Sequence, residues 1–252
     1  MLLLSLGLMA GCDQFNDIKN TVDGLTNPLV AQTIILGVAE PESSEIDLSG
    51  TDFSQGATIQ AFLADAASVN DLENAPVSGA DVKIRVGETA AVWLTESADG
   101  AYSADGTDGF SYVAQQPSVV TMNYGDDSSQ MSITLPAAVN VDVPETHNGG
   151  TAMNLDLGAS FDAVLAVVID VTAGEATWTN RPETIREVYD FTHGSGNVSS
   201  LTIPAVAFPS GCACAVGIAG MENADSSNFT NTNTGLSSLS AGKMKFYGVV
   251  VP

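Results

Sequence analysis

The side chains best suited to covalent or metal chemistry in this sequence are three cysteines and two histidines. One residue separates Cys212 from Cys214, so on a β-strand both side chains would lie on the same face. Three interpretations of this pair stay open: a strained disulfide, two free thiols packed in a strand, or a metal or redox site. No second cysteine pair in the sequence supports a metal site, and we predict no metal ligands.

The two histidines lie in similar sequence contexts. His147 and His193 each follow a threonine and precede residues rich in glycine or asparagine, which is typical of exposed loops. A two-histidine metal site, or a Ser-His-Asp triad with one of them as the base, is the alternative. The sequence has no G-x-S-x-G nucleophile elbow. We therefore predict that the protein is not an enzyme and has no catalytic residue and no cofactor.

Aspartate–glycine pairs are concentrated at residues 97–109. Asp99, Asp105 and Asp108 could offer carboxylate oxygens to Ca²⁺, although their spacing is not that of an EF-hand loop. Residues 124–129 have the same ambiguity. Plain turns are the leading interpretation of both stretches, because aspartate followed by glycine is a common turn sequence.

Two further features could bind a glycan or another partner. The stretch 221–240 is rich in asparagine, serine and threonine and carries one aromatic residue, Phe229. Long loops of this kind are often functional or disordered. Trp178, followed by Thr179 and Asn180, could stack on a sugar ring, although a buried tryptophan is the more common case.

The charge balance excludes two classes of partner. The 252 residues contain 7 lysines and arginines against 30 aspartates and glutamates, giving a formal net charge of −23. A chain without a basic surface cannot neutralise the phosphates of a nucleic acid, so we predict no nucleic-acid partner. Electrostatic docking to anionic lipid is excluded for the same reason. An acidic surface adapted to high salt is the leading interpretation, and a specific site for cations or a basic partner is the alternative.

The first eleven residues carry no charged side chain. About ten apolar residues are too few to span a bilayer, which needs about twenty, but they suit the apolar region of a signal peptide. The basic residues that usually precede such a region are absent. We predict a signal peptide at 1–11.

The residues that close this segment are Leu8, Met9, Ala10, Gly11 and Cys12. They resemble the lipobox of bacterial lipoproteins, with Met9 where leucine is usual. The resemblance implies that Cys12 receives a diacylglycerol on its sulfur, becomes the mature N-terminus and inserts its acyl chains into the lipid bilayer. It also implies an exported protein, lipid-anchored to the bacterial cell envelope at the outer membrane or the cell surface. Residues 12–54 would then be the lipid anchor, a short tether helix and a linker.

The rest of the chain has the pattern of an all-β protein. Short stretches alternate apolar and polar residues and are separated by turn-forming residues, which is typical of β-sandwiches. A nearly continuous apolar stretch at 163–171 predicts a strand covered on both faces. One helix is predicted at 179–189, with Asn180 as its N-terminal cap. Further strands are predicted at 29–38, 80–86, 130–135, 138–143, 151–157, 199–208, 212–221 and 243–251.

A second resemblance covers about residues 55–136. The residues that carry it are Val77, Gly79, Ala80, Val82, Asp99, Gly100 and Tyr102. They resemble transthyretin-like or carboxypeptidase-regulatory-like modules, which are Ig-like β-sandwiches. Independently of the resemblance, Asp99 and Gly100 predict a tight hairpin turn, and Tyr102 predicts an aromatic side chain inside the sandwich. We predict two β-sandwich domains, at 55–145 and 150–252.

These observations lead to one expectation of function and one alternative. The expected function is that of a non-enzymatic binding or scaffold protein, held at the membrane by Cys12 and recognising a protein or glycan partner. The alternative is a Ca²⁺-dependent or carbohydrate-binding adhesive module, which draws on the Asp-Gly turns and on the segment 221–240.

Overall fold

The computed structural model describes residues 29–39, 56–194 and 196–252. The predicted signal peptide, Cys12, the tether helix and residues 40–54 of the linker lie outside the described residues, whereas residues 30–38, inside the range predicted as anchor, tether and linker, form a strand of the largest sheet. Within the described ranges the chain forms fifteen strands and one α-helix, which confirms the all-β prediction.

The strands and the helix follow one another along the chain as follows. The first eight strands are β1 (Val30–Val38), β2 (Thr58–Ala64), β3 (Asp81–Val86), β4 (Val92–Trp93), β5 (Thr95–Ala98), β6 (Ala101–Asp105), β7 (Pro117–Tyr124) and β8 (Asp127–Thr134). The remaining elements are β9 (Met153–Phe161), β10 (Ala163–Asp170), β11 (Glu175–Thr179), α1 (Ile185–Thr192), β12 (Val198–Ile203), β13 (Ala213–Asn223), β14 (Phe229–Thr230) and β15 (Ser238–Val250).

These strands form three sheets. The largest has eight strands in the order β11-β10-β13-β15-β1-β2-β6-β5, in which β1 and β15 are parallel and the other neighbours are antiparallel. A five-stranded sheet has the order β14-β8-β7-β3-β4, and β12 pairs with β9 in a sheet of two. The two smaller sheets pack on the same face of the large one.

Two hydrophobic cores lie between these layers. The first core fills the space between the five-stranded sheet and β1, β2 and β6, with Tyr102 and Met131 among its fully buried side chains. The second core lies between the two-stranded sheet and β10, β13 and the end of β15, with Phe208 among its fully buried side chains. Strand β10 is buried on both faces, as predicted, because alternate residues enter the second core and a cluster on the other face.

Strand β15 belongs to both cores. Leu239 and Ala241 lie in the first core, whereas Tyr247 and Val249 lie in the second. These odd-numbered residues share one face of the strand because side chains alternate along it. Strands from both predicted domains, 55–145 and 150–252, belong to the large sheet. Whether these two ranges are separate folding units stays a prediction.

Helix α1 covers part of the opposite face of the large sheet. Val188 packs there among Phe62 and Ala101. The helix begins after Thr184, whose hydroxyl accepts a hydrogen bond from the Glu187 backbone N–H in a capping box. The helix is an amphipathic element of eight residues, and no helix in the described ranges is long and apolar enough to cross a lipid bilayer.

The predicted start of this helix was wrong. Asn180 does not cap it, because the Asn180 amide bonds to the backbone of β10, at the N–H of Ala166 (2.7 Å) and the carbonyl of Val164 (2.8 Å). The side chain therefore continues the β-ladder beyond β11. The capping position falls on Thr184 instead.

The strand predicted at 138–143 was also wrong. These residues form no strand, although Val139, Val141 and Val143 contact the second core as their alternation suggested. The backbone here is held by a side chain, because the Tyr247 hydroxyl accepts a hydrogen bond from the N–H of Val141 (2.9 Å) and donates to the carbonyl of Val139 (3.2 Å). We call residues 136–146 the connector.

Candidate binding face on the five-stranded sheet

The two cysteines are joined by a disulfide in the second core. The Cα atoms of Cys212 and Cys214 are 5.5 Å apart, and both residues are buried. Burial keeps the bond away from solvent and from other thiols, and these are the surroundings of a structural disulfide. Of the three interpretations that the sequence left open for this pair, the structure shows the disulfide.

The two histidines contact different elements. His147, half-buried, packs its ring edge against Phe208 with 4.6 Å between ring centroids. His193 ends helix α1 and stacks on Tyr189 at 4.0 Å, and partial burial lowers its pKa from the ordinary value. Within the described ranges, no three histidine, cysteine, aspartate or glutamate side chains are grouped so that they could hold a metal ion.

The aspartates at 97–109 make turns. Asp105 accepts a hydrogen bond from the Thr107 backbone N–H (2.7 Å), and Asp108 accepts one from the Asp105 backbone N–H (3.0 Å). Together they cap a short 3-10 helix at Gly106–Asp108. Asp99 and Gly100 form the hairpin turn between β5 and β6, as predicted.

The residues behind the second resemblance meet in space. The Tyr102 hydroxyl donates to the Val77 carbonyl (2.9 Å) and accepts from the Ala80 N–H (2.9 Å), and burial raises the pKa of Tyr102 above its ordinary value. Gly100 has a φ of +71°, and a Cβ there would lie 2.7 Å from the Leu63 carbonyl oxygen. The predicted roles of the Asp-Gly turn and of Tyr102 are therefore confirmed.

The features considered for glycan binding are partly used in packing. Segment 221–240 enters the sheets at its two ends and at Phe229–Thr230, where Phe229 pairs with Met131, and residues 224–228 and 231–237 lie between the strands. Trp178 is half-buried against the second core, and Asn180 is committed to the β10 backbone. The structure places a different tryptophan at the surface.

The outward face of the five-stranded sheet carries that tryptophan. On β3, Val82, Ile84 and Val86 point into the first core, so Lys83 and Arg85 point outward. Lys83 pairs with Trp93 on the edge strand β4. We call the outward side of this sheet the Trp93 face.

One row of side chains runs across all five strands of this face. Their backbone registers place them next to one another from edge to edge, in the order Trp93, Lys83, Thr121, Gln130 and Thr230. With about 4.8 Å between neighbouring strands, four intervals span about 19 Å. The row begins with an aromatic side chain, continues with a cation and ends with three hydrogen-bonding side chains.

Trp93 is the most exposed aromatic side chain that the structure describes, with 55% of its surface open to solvent. The Lys83 ammonium lies 5.2 Å from the centroid of its ring, at cation–π distance. The sequence carried a signal that we missed. Val92 and Leu94 contact the first core, so alternation places Trp93 between them on the outward side.

The Trp93 face differs in charge from the chain as a whole. It holds two of the six basic residues in the described ranges, Lys83 and Arg85, with Asp81 as the acidic residue on the same strand and face. The Arg85 side chain is exposed. In a chain with a net charge of −23, the outward side of β3 therefore carries more positive than negative side chains.

Comparisons with known proteins identify no family. No family model matches the chain. No curated protein matches it either. Among solved structures, it is similar to the crystal structure of chicken CNTN1 FN1-FN3 domains, with 5% identity over 77% of this chain and a TM-score of 0.19. The match covers 62% of that structure's length.

Proposed function

We propose that the protein is a lipoprotein anchored to the bacterial cell envelope through Cys12, and that it acts as a non-enzymatic binding or scaffold protein. The observation that carries this proposal is the lipobox-like sequence at residues 8–12, which closes an uncharged apolar segment. One acyl chain binds a membrane only marginally, whereas two or more hold a protein stably. A diacylglyceryl cysteine supplies two chains at one residue.

The described residues support the binding half of this proposal. The described side chains best suited to covalent or metal chemistry are engaged in contacts within the fold. Cys212 and Cys214 form a buried disulfide, and His147 and His193 lie against aromatic rings. The Trp93 face, in contrast, presents its polar and aromatic side chains to solvent on a sheet. An exposed surface on a firmly packed scaffold is suited to recognition.

The alternative function is an adhesive module that binds carbohydrate or Ca²⁺. The exposed Trp93 and the row of hydrogen-bonding side chains beside it favour the carbohydrate version. The Ca²⁺ version has less support, because Asp105 and Asp108 already serve as capping groups for one turn. A melting temperature that does not change with Ca²⁺ or chelator would argue against a structural Ca²⁺ site.

Detergent phase separation tests the anchor. The wild-type chain, expressed in a bacterium with lipoprotein-processing enzymes, should enter the detergent phase, and Cys12→Ser should move it to the aqueous phase. Ser5→Ala is the matched control, because it changes a residue of the apolar segment and leaves residues 8–12 intact. Mass spectrometry of the N-terminal peptide should find an acylated Cys12. Equal partitioning of wild type and Cys12→Ser would contradict the anchor.

A further inference from the structure

We propose that the Trp93 face binds an acidic polysaccharide whose sugar rings carry carboxylate groups. The inference rests on the proposed role as a binding protein, but it does not depend on the lipid anchor. It names the chemical class of ligand that this one face would recognise.

The aromatic side chain supplies the first argument. The C–H face of a sugar ring is apolar and flat, and it stacks on an indole ring with little loss of conformational freedom for either partner. Trp93 lies on the short edge strand β4 with over half of its surface exposed. Its rigid ring, held beside Lys83, is already in place before a ligand arrives.

The row across the sheet supplies the second argument. Thr121, Gln130 and Thr230 continue from Trp93 and Lys83 in register, over about 19 Å. Their hydroxyl and amide groups can donate to and accept from sugar hydroxyls. A short oligosaccharide could therefore lie along the row, crossing the strands.

Charge supplies the third argument and sets the class of glycan. Lys83 and Arg85 are two residues apart on β3 and share the outward face, so a carboxylate beside the stacked sugar would meet two cations. The net charge of −23 repels an anionic polymer at long range. At about 0.15 M salt the Debye length is about 8 Å, so the two nearby cations dominate at contact.

A second copy of this chain is a less suitable occupant. Four of the five side chains in the row are charged or polar: Lys83, Thr121, Gln130 and Thr230. Stable interfaces between copies are usually more apolar than the surface around them. The polar row therefore favours a hydrated anionic chain over a self-association surface.

Titration calorimetry with defined oligosaccharides tests the inference. The probes are a hexamer of galacturonic acid, which carries carboxylates, and a hexamer of glucose, which is neutral. The whole chain is used in a detergent without sugar groups, at 0.15 M salt with EDTA, so that a Ca²⁺-dependent interaction does not contribute. We expect the acidic hexamer to bind and the neutral hexamer to bind at least tenfold more weakly.

Variants of the face should weaken the binding of the acidic hexamer in a graded way. Trp93→Ala should raise the Kd at least tenfold, and Lys83→Gln and Arg85→Gln about three- to tenfold each. Trp93→Phe should keep part of the affinity, because an aromatic ring is retained. Arg186→Gln, which removes a positive charge from helix α1, and Val206→Ala, which trims another exposed apolar side chain, are the matched controls and should change little.

Each other outcome overturns the inference in a distinct way. Equal binding of both hexamers would overturn the acidic class. Binding of neither, or binding that is unchanged by Trp93→Ala in a variant that keeps the wild-type urea midpoint, would overturn the site. A dimer in sedimentation velocity that Trp93→Ala dissociates would assign the face to a second copy. All of these results are independent of whether Cys12→Ser alters membrane partitioning, so the two proposals fail separately.

Discussion

The two cores of this protein share one sheet but are covered in different ways. The first core is closed by a sheet of five strands, broad enough to bury one face and leave the other to solvent as the Trp93 face. The second core is closed by a sheet of only two strands, β9 and β12. It is completed by the connector, by Phe208 and by the disulfide between Cys212 and Cys214. A broad cover can carry a recognition surface, whereas a narrow one needs cross-links and anchored loops to exclude water.

In each core, the hydroxyl of a buried tyrosine bonds to the backbone of a neighbouring segment. Tyr102 bonds to Val77 and Ala80, which lie just before β3, and Tyr247 bonds to Val139 and Val141 in the connector. In both cases the hydroxyl donates to one carbonyl and accepts from one N–H. The first tyrosine supports a segment that leads into a strand, and the second replaces a strand.

Truncating a large, fully buried side chain of either core gives the largest expected effect. Phe208→Ala in the second core should lower the free energy of unfolding by about 3–5 kcal/mol, and Met131→Ala in the first by about 2–5 kcal/mol. Both side chains are fully buried. The fluorescence of the two tryptophans reports on the two cores separately, because Trp93 lies on the sheet that covers the first core and Trp178 lies against the second.

Urea unfolding monitored in Trp93→Phe and Trp178→Phe backgrounds therefore compares the cores. Because β15 contributes to both, we expect the two fluorescence signals to change at the same urea concentration, and either truncation should shift both together. Two separate midpoints would show that the cores unfold independently despite the shared sheet.

Removing the tyrosine hydroxyl from each core should have an intermediate effect on the free energy of unfolding. Tyr102→Phe and Tyr247→Phe should each cost about 1–3 kcal/mol, because each leaves a backbone N–H and a carbonyl without this partner. Tyr124→Phe is a suitable control, since no hydrogen bond of its hydroxyl is found within the described ranges, and it should change stability by less than about 0.5 kcal/mol. Denaturant titration measures all three, and a Tyr247→Phe variant as stable as the control would mean that the connector is held by apolar contacts alone.

Loss of the disulfide should have the smallest of these effects. The loop that it closes is very short, so replacing Cys212 and Cys214 together by alanine should cost about 1.5 kcal/mol. A reductant should lower the urea midpoint of the wild type and leave that of the double variant unchanged. If reduction of the wild type, verified by thiol titration, had no effect on the midpoint, the narrow cover of the second core would not depend on this cross-link.

Local alternation predicted most strands because it records which side chains are buried. The pattern at 80–86 corresponds to β3, and the apolar stretch at 163–171 corresponds to β10. The same signal misled at 138–143, where alternate valines enter the second core but the backbone bonds to the Tyr247 hydroxyl. The pairing of β1 with β15 joins Gln32 to Ser238, and no local pattern specifies so distant a partner.

The candidate binding face was harder to predict than the fold. Strand β3 was predicted, and with it the outward direction of Lys83 and Arg85, but a strand of two residues such as β4 leaves little periodicity to detect. The row from Trp93 to Thr230 depends on four separate register pairings between five strands. Those pairings are tertiary information, and the chemistry of the face emerges only when they are known.

The position of β15 in the chain sets an order on folding. It lies between β13 and β1 in the middle of the large sheet, yet it comes after every other described strand in the sequence. Both cores include side chains of residues 238–250, so each is incomplete without β15, and the β1–β15 contacts span about two hundred residues. High contact order of this kind slows folding. During synthesis both cores therefore lack part of their packing until β15 emerges, and an incompletely packed chain is easier to thread through a narrow channel than a folded one.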